Sequence, residues 1–328
     1  MNKRIFSRLK RLTTGKIMPL VASIALAVVL ASCAAQKGGA GATKPASTSH
    51  NGEIAFARLD NQAGEFDIFM VEPDGSGLRK LATKPAQDNS PAWSPNGKRL
   101  AVEASEGLDD FNIDIYLVKA DGSGVKRITK EPTLDRMPSW SPDGTKIAFM
   151  KDSRSVQEPD TGDIYTMRVD GTDLRQLTDD GSDENPAWAP DGKTVAFDRL
   201  TKANGGIYTV NADGSGLRKL TDPPEGFWDS EPSWSPDGTK IAFTRGSARR
   251  VDVFTMNADG THLRKLTGKT EGAYSPDFSP DGKRIVFVGW EGGNKLYVMN
   301  ADGTNVRRLT PDSKGVVDEF EPDWQPLP

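Results

Sequence analysis

Short segments in which polar and apolar residues alternate make up the chain from Glu53 onward, separated by turns rich in Gly, Pro and Asp. One unit of this pattern contains the strings P-x-W, S-P-D-G, K-I-A-F, D-I-Y-x-M, A-D-G-S/T-G and L-R-K-L-T. A period of two predicts β-strands, and the two Gly-containing strings predict tight turns, because Pro presets φ and Gly adopts the strained position. Each unit therefore predicts four antiparallel strands.

The unit is repeated along the chain. SPAWSPNGKRLAV at Ser90 is followed by MPSWSPDGTKIAF at Met137, NPAWAPDGKTVAF at Asn185, EPSWSPDGTKIAF at Glu231, SPDFSPDGKRIVF at Ser275 and the truncated EPDWQP at Glu321. The aromatic anchors are Trp93, Trp140, Trp188, Trp234, Phe278 and Trp324, which lie 44 to 48 residues apart. A period in the mid-forties with several short strands per unit is typical of a β-propeller.

The two ends of the repeated region complement each other. The first copy of the second-strand string, GEIAFAR at Gly52, has no P-x-W before it. The last P-x-W, at Pro322, has no second-strand string after it. We therefore predict an all-β fold, a six-bladed β-propeller of four-stranded antiparallel blades over residues 53–326. In this prediction the C-terminal strand around Trp324 completes the first blade and closes the ring, which removes free sheet edges.

The repeated strings resemble the TolB-type propeller family, a WD-like group, over essentially all of residues 53–326. The resemblance implies a six-bladed fold, an envelope location and a role as a protein-binding scaffold. Only a short tether precedes the first predicted strand, so we expect no counterpart of the N-terminal α/β domain of TolB itself.

The N-terminus has the pattern of an export signal. Six Lys and Arg with no acidic residue occupy residues 1–16, and an apolar run of 14 residues, Ile17 to Leu30, follows. Such a run is too short to span a bilayer and fits a signal-peptide core. The ending, Leu30-Ala31-Ser32-Cys33, resembles the bacterial lipobox, which implies cleavage after residue 32 and lipidation of Cys33. The alternative is an ordinary export signal with an incidental cysteine.

Residues 33–52 follow as a flexible tether, rich in Gly, Ala, Ser and Thr, that cannot bury enough surface to order itself; His50 lies within it. We expect an exported protein held by lipid at the cell envelope. In a Gram-negative host this means the outer membrane and periplasm, and otherwise the outer face of the plasma membrane. Ala34 rather than Asp after the cysteine favours the outer membrane.

Composition excludes several classes of protein. One Cys among 328 residues rules out a disulfide framework and Cys-rich metal sites, and two His leave little for a histidine metal centre. The chain has 42 Lys and Arg against 46 Asp and Glu, and without residues 1–32 the formal charge is −10, which argues against nucleic acid as a partner. The 33 Gly and 22 Pro mostly fall in the repeated turns. We expect a monomer with no required cofactor.

The repeats separate scaffold from candidate site, because a residue present in every blade serves the fold. Five aromatic residues that break the pattern are predicted to lie in neighbouring loops on one face of blades five, six and one, as a partner-binding face: Phe227, Trp228, Tyr274, Trp290 and Phe320. The alternative is that they pack over the blade ends as local core. Basic pairs on the fourth strand, such as Arg79-Lys80 and Arg264-Lys265, are interpreted as protection of an exposed edge.

Acidic residues recur five positions before the anchor in five of six blades: Asp88, Asp135, Asp183, Asp229 and Glu319, with Ala273 as the exception. We interpret them as loop braces that bond nearby backbone, rather than as a ring of ligands.

The central channel is a second candidate site. The residue between Pro and the anchor is small in four blades and acidic in two, Asp277 and Asp323, with Glu231 and Glu321 near the strand entrances. Carboxylates on adjacent strands can hold a hard cation such as Ca²⁺. Solvated channel acids without a cation are the alternative.

Catalysis finds little support in the sequence. There is no G-x-S-x-G string, and His262 stands without a paired nucleophile motif. We therefore expect a non-enzymatic, lipid-anchored scaffold that binds an envelope protein or glycan. The alternative is a carbohydrate-active or hydrolytic propeller that uses the channel carboxylates.

Overall fold

The computed structural model describes residues 52–60, 64–81, 87–105, 112–152, 162–200, 205–268, 272–311 and 317–327. Ser47–Pro328 form a compact unit of their own. The signal peptide, Cys33, the tether and His50 lie outside the described residues. No helix in the described ranges is long and apolar enough to cross a membrane.

The described residues contain 24 strands in six sheets of four, and each sheet is one blade. Blade one consists of β1 (Ile54–Asp60), β2 (Glu65–Val71), β3 (Arg79–Lys80) and β24 (Val317–Trp324). Blade two consists of β4 (Gln87–Trp93), β5 (Arg99–Ser105), β6 (Asp114–Lys119) and β7 (Lys126–Arg127), and blade three of β8 (Leu134–Trp140), β9 (Lys146–Asp152), β10 (Asp163–Arg168) and β11 (Arg175–Gln176). Blade four consists of β12 (Asp183–Trp188), β13 (Thr194–Arg199), β14 (Gly206–Asn211) and β15 (Arg218–Lys219), and blade five of β16 (Phe227–Trp234), β17 (Lys240–Ser247), β18 (Arg250–Asn257) and β19 (Arg264–Lys265). Blade six consists of β20 (Ala273–Phe278), β21 (Arg284–Trp290), β22 (Asn294–Asn300) and β23 (Arg307–Arg308).

The C-terminal strand closes the ring. β24 pairs antiparallel with β1, with Trp324 opposite Ile54, so the sheet order of blade one is β24-β1-β2-β3. Gln325 extends this closure: its Oε1 accepts from the backbone N of Glu53 at 3.0 Å, and its Nε2 donates to the carbonyl of Gly97 in blade two at 2.9 Å. The predicted fold class, blade count and closing strand are confirmed.

Every blade has the same two ends. We call lower the end that carries the turns from first to second strand and from third to fourth strand, and upper the end where first strands begin and second strands finish. The lower turns, taken with the adjoining strand residues, are 72–80, 94–99, 119–127, 141–146, 168–176, 189–194, 211–219, 235–240, 257–265, 279–284 and 300–308.

The core lies between neighbouring blades rather than along the axis. Five second strands place a phenylalanine there with no exposed surface: Phe56, Phe149, Phe197, Phe243 and Phe287. Full burial of such a side chain contributes about 2 kcal/mol. The apolar positions of K-I-A-F are therefore the positions that join one blade to the next.

The first strands are longer than the P-x-W string suggests, because each continues through a bulge before the proline. The bulged residue has a positive φ of 46° to 55° in all six blades: Ser90, Met137, Asn185, Glu231, Ser275 and Glu321. None of these residues is glycine, so the residue types do not reveal the bulge. The bulges bring these six residues to the wall of the channel.

The outer strands are shorter than predicted, with only two residues in each ladder. Their basic residues do more than protect an edge, because several join neighbouring blades. Arg218 donates to the carbonyl of Asp259 at 2.7 Å, Arg264 to that of Asp302 at 3.0 Å, and Arg307 to that of Pro73 at 2.6 Å. The A-D-G turns that supply these carbonyls press against the preceding blade.

Candidate functional site: the upper face and the channel

All five predicted partner-face aromatics lie at the upper ends of blades five, six and one, in strands rather than in loops. Phe227 begins β16 and Trp290 ends β21, and these two side chains are exposed by 39% and 42%. Among the described residues they are the only large hydrophobic side chains exposed at the upper end. Because ladder hydrogen bonds hold both residues, the exposed rings are presented on rigid elements.

Trp228 lies half-buried beside Phe227. It pairs with Gly246 on β17, and a Cβ at Gly246 would collide with the indole ring. The Cβ of Trp228 also lies 3.4 Å from the position of a Cβ at Gly205 in blade four. Glycine at position 246 is therefore what allows the indole to lie flat against the sheet.

Tyr274 and Phe320 are largely part of the core. Tyr274 packs on the cluster that contains Val286 and Leu296, and burial raises the pKa of its hydroxyl well above 10. Phe320 packs against Phe66, with ring centroids 5.8 Å apart. The accessible part of the predicted face thus consists mainly of Phe227 and Trp290, with the half-buried Trp228 next to Phe227 in the sequence.

Beneath this face, the recurrent acids form buried ion pairs within the blades. Asp183 accepts two hydrogen bonds from Arg199 at 2.6 and 2.9 Å, and Asp229 accepts two from Arg245 at 2.5 and 2.7 Å. Equivalent pairs are Asp135–Lys151 at 3.4 Å and Glu319–Arg58 at 3.0 Å. The predicted brace exists, but its partner is a base on the second strand and not loop backbone. The acids are fully buried.

Each arginine of these pairs also lies over an aromatic ring of the third strand. Arg199 is 4.9 Å from the ring centre of Tyr208, Arg245 5.2 Å from Phe254, and Arg58 5.0 Å from Phe69. An acid, a cation and a ring therefore stack at the upper end of blades one, four and five, where they combine ion pairing with cation–π attraction. This stack gives the upper face a rigid base.

Two blades lack the pair of an acid on the first strand and a base opposite it on the second strand. In blade six the acid and base are replaced by Ala273 and Gly289, and the ring of Tyr297 packs against Gly289 while its hydroxyl donates to Glu291. In blade two the acid remains, but the residue opposite Asp88 is Ala104. Burial then raises the pKa of Asp88 to about 7.

The channel forms a cavity of about 480 Å³ along the ring axis. Its aromatic wall consists of four tryptophan anchors, Trp93, Trp140, Trp188 and Trp234, and its polar side chains are unevenly distributed. Carboxylates come from blades five, six and one, namely Glu231, Asp277, Glu321 and Asp323, whereas blades two to four contribute Ser, Ala, Met and Asn. The acidic half of the channel thus belongs to the same three blades as the exposed aromatics.

Hydrogen bonds across the blade boundaries engage the two glutamates. Glu231 accepts from the backbone N and Oγ of Ser275 at 2.8 and 2.9 Å and from Thr244 Oγ1 at 2.6 Å. Glu321 accepts from Ser90 Oγ at 2.6 Å. Each glutamate therefore joins its own blade to the next one.

Asp277 and Asp323 hold the closing strand on both of its sides. Asp277 accepts from the backbone N of Trp324 at 2.8 Å and from Ser233 Oγ at 2.8 Å, and Asp323 accepts from the backbone N of Trp93 at 2.6 Å. Where this position is alanine, the indole of the next anchor makes the connection instead, as Trp140 does to the carbonyl of Ala92 at 3.0 Å. The two aspartates thus have a structural role at the ring closure.

The environment of the channel favours the protonated form of its acids. Burial raises the pKa of Asp277 to about 6 and, together with the nearby Glu103, raises the pKa of Glu321 to about 7. Burial and the charge of Asp277 raise the pKa of Asp323 well above its ordinary value. Part of the acidic wall therefore titrates close to neutral pH.

Asp198 is a buried acid beside the channel that sequence reasoning missed. Asp198 on β13 is fully buried, and its Oδ1 accepts from the backbone N of Glu231 at 3.0 Å. Burial and the cross-strand neighbour Glu184 raise the pKa of Asp198 well above its ordinary value. Asp198 directly follows Phe197 of the K-I-A-F string, at a position that is apolar in half of the blades. The acid at this position could therefore have been recognised from the sequence as a departure from the repeat.

The described residues contain no group of three or more His, Cys, Asp or Glu side chains arranged to hold a metal ion. Each of the four channel carboxylates instead receives at least one hydrogen bond from protein. His262 lies on a lower turn, far from these acids along the blade, with its Nδ1 2.8 Å from Asn257 Nδ2. The fold thus keeps His262 apart from the channel acids.

Comparison with known families agrees with this architecture. The family model described as the TolB beta propeller domain matches residues 37–184 and 151–270. The chain belongs to the TolB β-propeller family. Membership supports a propeller that acts as a scaffold for protein interactions, and the predicted resemblance is confirmed.

Several solved structures are similar to the TolB-family chain. It is similar to TolB from Acinetobacter baumannii with a TM-score of 0.71 and 26% identity, covering 84% of this chain and 67% of that one. It is also similar to the putative TolB from Agrobacterium tumefaciens, with a TM-score of 0.63 and 20% identity, covering 84% of this chain and 99% of that one. An oligogalacturonate lyase from Vibrio parahaemolyticus is similar with a TM-score of 0.54 and 17% identity, covering 80% of this chain and 75% of that one. This likeness shows the fold alone. No curated protein matched the sequence.

Proposed function

We propose that this protein is an exported, lipid-anchored propeller that binds a protein or glycan of the cell envelope without catalysing a reaction. The observation that carries the proposal is the pair of exposed aromatic rings, Phe227 and Trp290, at the upper ends of neighbouring blades. Rigid, exposed aromatics surrounded by polar groups are typical centres of binding surfaces. The TolB β-propeller family supports the general role of interaction scaffold.

Charge around this face narrows the partner. The lower turns contain 20 Lys and Arg against 12 Asp and Glu, whereas the remainder of residues 52–328 contains 14 against 34. Outside the lower turns the chain therefore carries an excess of negative charge, and such a field speeds the approach of a basic partner and repels an acidic one. A protein with basic side chains is the partner that fits best.

A capture experiment tests the face. The intact chain and a variant with Trp228→Ala and Trp290→Ala are used to retain partners from a cell-envelope extract, and the retained proteins and glycans are compared. A control carries Leu217→Ala and Leu263→Ala, which truncate two exposed hydrophobic side chains at the lower end. We expect the control to retain the same partners as the intact chain and the tryptophan variant to lose them.

The lipid anchor is a separate part of the proposal. Its support is the sequence Leu30-Ala31-Ser32-Cys33 after a basic and apolar leader, with Cys33 the single cysteine of the chain. We expect labelled palmitate to enter the intact protein in growing cells and to be absent from Cys33→Ala. Equal labelling of the two proteins would refute the anchor and leave the binding face untouched.

A second candidate function, a carbohydrate-active or hydrolytic propeller, is favoured by one observation. Asp277 and Asp323 are neighbours on adjacent first strands, and burial brings the pKa of Asp277 to about 6, a range suited to acid–base catalysis. Against it, both acids accept hydrogen bonds that hold the closing strand. A screen of glycan and ester substrates with the intact protein removes this candidate if no turnover is found.

Calcium in the channel stays a prediction. The hydrogen bonds of Asp277, Asp323, Glu231 and Glu321 account for these acids without a cation, so we propose that no cofactor is required. A calorimetric titration with CaCl₂ decides the point. Saturable heat that Asp277→Asn abolishes would establish a cation site and overturn this part of the proposal.

A further inference from the structure

The lower rim of the propeller carries exposed aliphatic residues beside basic ones, and neither the fold nor the upper face explains the exposed aliphatic residues. On blades three to six an exposed aliphatic residue stands directly before an arginine of the outer strand: Leu174-Arg175, Leu217-Arg218, Leu263-Arg264 and Val306-Arg307. The four aliphatic side chains are exposed by 43% to 51%. With Leu327 they account for five of the seven large hydrophobic residues exposed within the described ranges.

The charge of this end has the opposite sign to that of the rest of the domain. The lower turns have a formal charge of +8, from 20 basic and 12 acidic residues, in a chain whose formal charge is −4 overall. Lysines such as Lys193 and Lys240 extend the basic character from the rim to the inner turns, and both are exposed. The propeller is thus polarised along its axis, which orients it in the field of a charged surface.

The chain enters the propeller at this same end. The carbonyl of Gly52 accepts from Trp324 Nε1 at 3.0 Å, next to the start of β1. Eighteen residues separate Cys33 from Gly52, and a flexible chain of that length spans about 23 Å. A lipid on Cys33 would therefore hold the protein through the end at which the chain enters the propeller.

We propose that the lower face docks on a bilayer of anionic lipids. The aliphatic residues of the rim enter the headgroup region, and exposed lysines of the lower turns, such as Lys193 and Lys240, pair with lipid phosphates, as juxtamembrane basic segments do. This orientation turns the acidic upper face and its aromatic residues away from the membrane. The inference rests on the proposed function for the anchor, but the docking itself requires no lipid on the chain.

Residues 47–328 are the appropriate material for the test, because Ser47–Pro328 form a compact unit and contain all 24 strands. Co-sedimentation is measured with vesicles of phosphatidylcholine alone and with 30% phosphatidylglycerol. At about 1 kcal/mol per basic residue near the surface, we expect at least tenfold tighter binding to the anionic vesicles, lost at high salt. Equal binding to both vesicles, or none to either, would overturn the proposal.

Two sets of variants test which face is involved. Lys193→Glu with Lys240→Glu should weaken binding at least about tenfold, since two positive charges become negative. Lys130→Glu, an exposed lysine at the upper end, is the matched control and should weaken it little. Equal weakening by both would refute the assignment to the lower face.

A fluorescent probe reports the orientation directly, because residues 47–328 contain no cysteine. Probes are attached at Leu217→Cys and, for comparison, at Trp290→Cys, in anionic vesicles that contain quencher lipids. We expect strong quenching at position 217 and little at position 290; the reverse would overturn the orientation. Failure of this experiment leaves the palmitate and capture experiments unaffected, so the docking and the proposed function can fail separately.

Discussion

The ion pair between Asp229 and Arg245 offers a sharp test of how the upper ends of the blades are stabilised. Asp229 is fully buried, the Arg245 side chain is 11% exposed, and two hydrogen bonds of 2.5 and 2.7 Å join them. Arg245→Met keeps the aliphatic stem but leaves the carboxylate without its cation. Breaking a buried pair in this way costs about 3–5 kcal/mol.

The reciprocal change has a smaller expected effect. Asp229→Ala leaves an arginine that retains its contact with Phe254 and can turn its head group to solvent, so we expect a loss of about 2 kcal/mol. Blade six shows that both charges can be absent together, since it carries Ala273 and Gly289 at these positions. The double variant should therefore lose about 2–3 kcal/mol, which gives a coupling energy of about 3 kcal/mol.

Equilibrium unfolding in urea, followed by tryptophan fluorescence, measures the free energy of unfolding of the intact chain, of the two single variants and of the double variant. The comparison holds when the m-value is the same for all four proteins. The exposed pair Lys219–Asp222 serves as the control, and its removal should change the free energy of unfolding by less than about 1 kcal/mol. If the losses from Arg245→Met and Asp229→Ala add to the loss of the double variant within about 0.5 kcal/mol, the two charges do not depend on each other and our account of the brace is wrong.

Three further predictions follow from other parts of the propeller. Because the pKa of Asp88 is raised to about 7, the folded state holds a proton that the unfolded state releases near pH 4. The free energy of unfolding should therefore fall by about 2–3 kcal/mol as the pH rises from 5 to 8. Urea unfolding at a series of pH values should show this fall in the intact chain and a flatter profile in Asp88→Asn. Gln325→Ala removes two hydrogen bonds at the ring closure and should cost about 2 kcal/mol, seen as a lower Tm; an unchanged Tm would show that β24 alone closes the ring. Gly246→Ala should displace the Trp228 indole and reduce partner capture, whereas Gly268→Ala, where a Cβ has ordinary contacts of 3.6 Å, should leave capture intact.

The repeated strings were enough to predict the blades and their closure. Turn residues and alternating apolar positions recur with the same spacing, so strand order follows from the sequence once the first and last units are seen to be complementary halves. The bulge before each proline could not be predicted, because residues as different as Met137 and Glu231 adopt its positive φ. There the geometry is imposed by the blade and not by the residue type.

The buried ion pairs lay within reach of sequence reasoning. Asp135–Lys151, Asp183–Arg199 and Asp229–Arg245 are each separated by 16 residues, the spacing set by the register of first and second strands. The acids alone suggested a loop brace, and the repeated spacing would have shown their partners. In contrast, burial of Tyr274 and Phe320 depends on neighbouring blades, so their sequence positions did not distinguish them from the exposed Trp290.

The central claim is that the upper ends of blades five, six and one bind the partner. Quantitative capture from a cell-envelope extract, comparing the intact chain with Trp228→Ala and Trp290→Ala and with the lower-rim control Leu217→Ala and Leu263→Ala, tests it most directly. Our account predicts that the same partners are retained by the intact chain and the control and are lost from the tryptophan variant. Equal retention by all three proteins would contradict it.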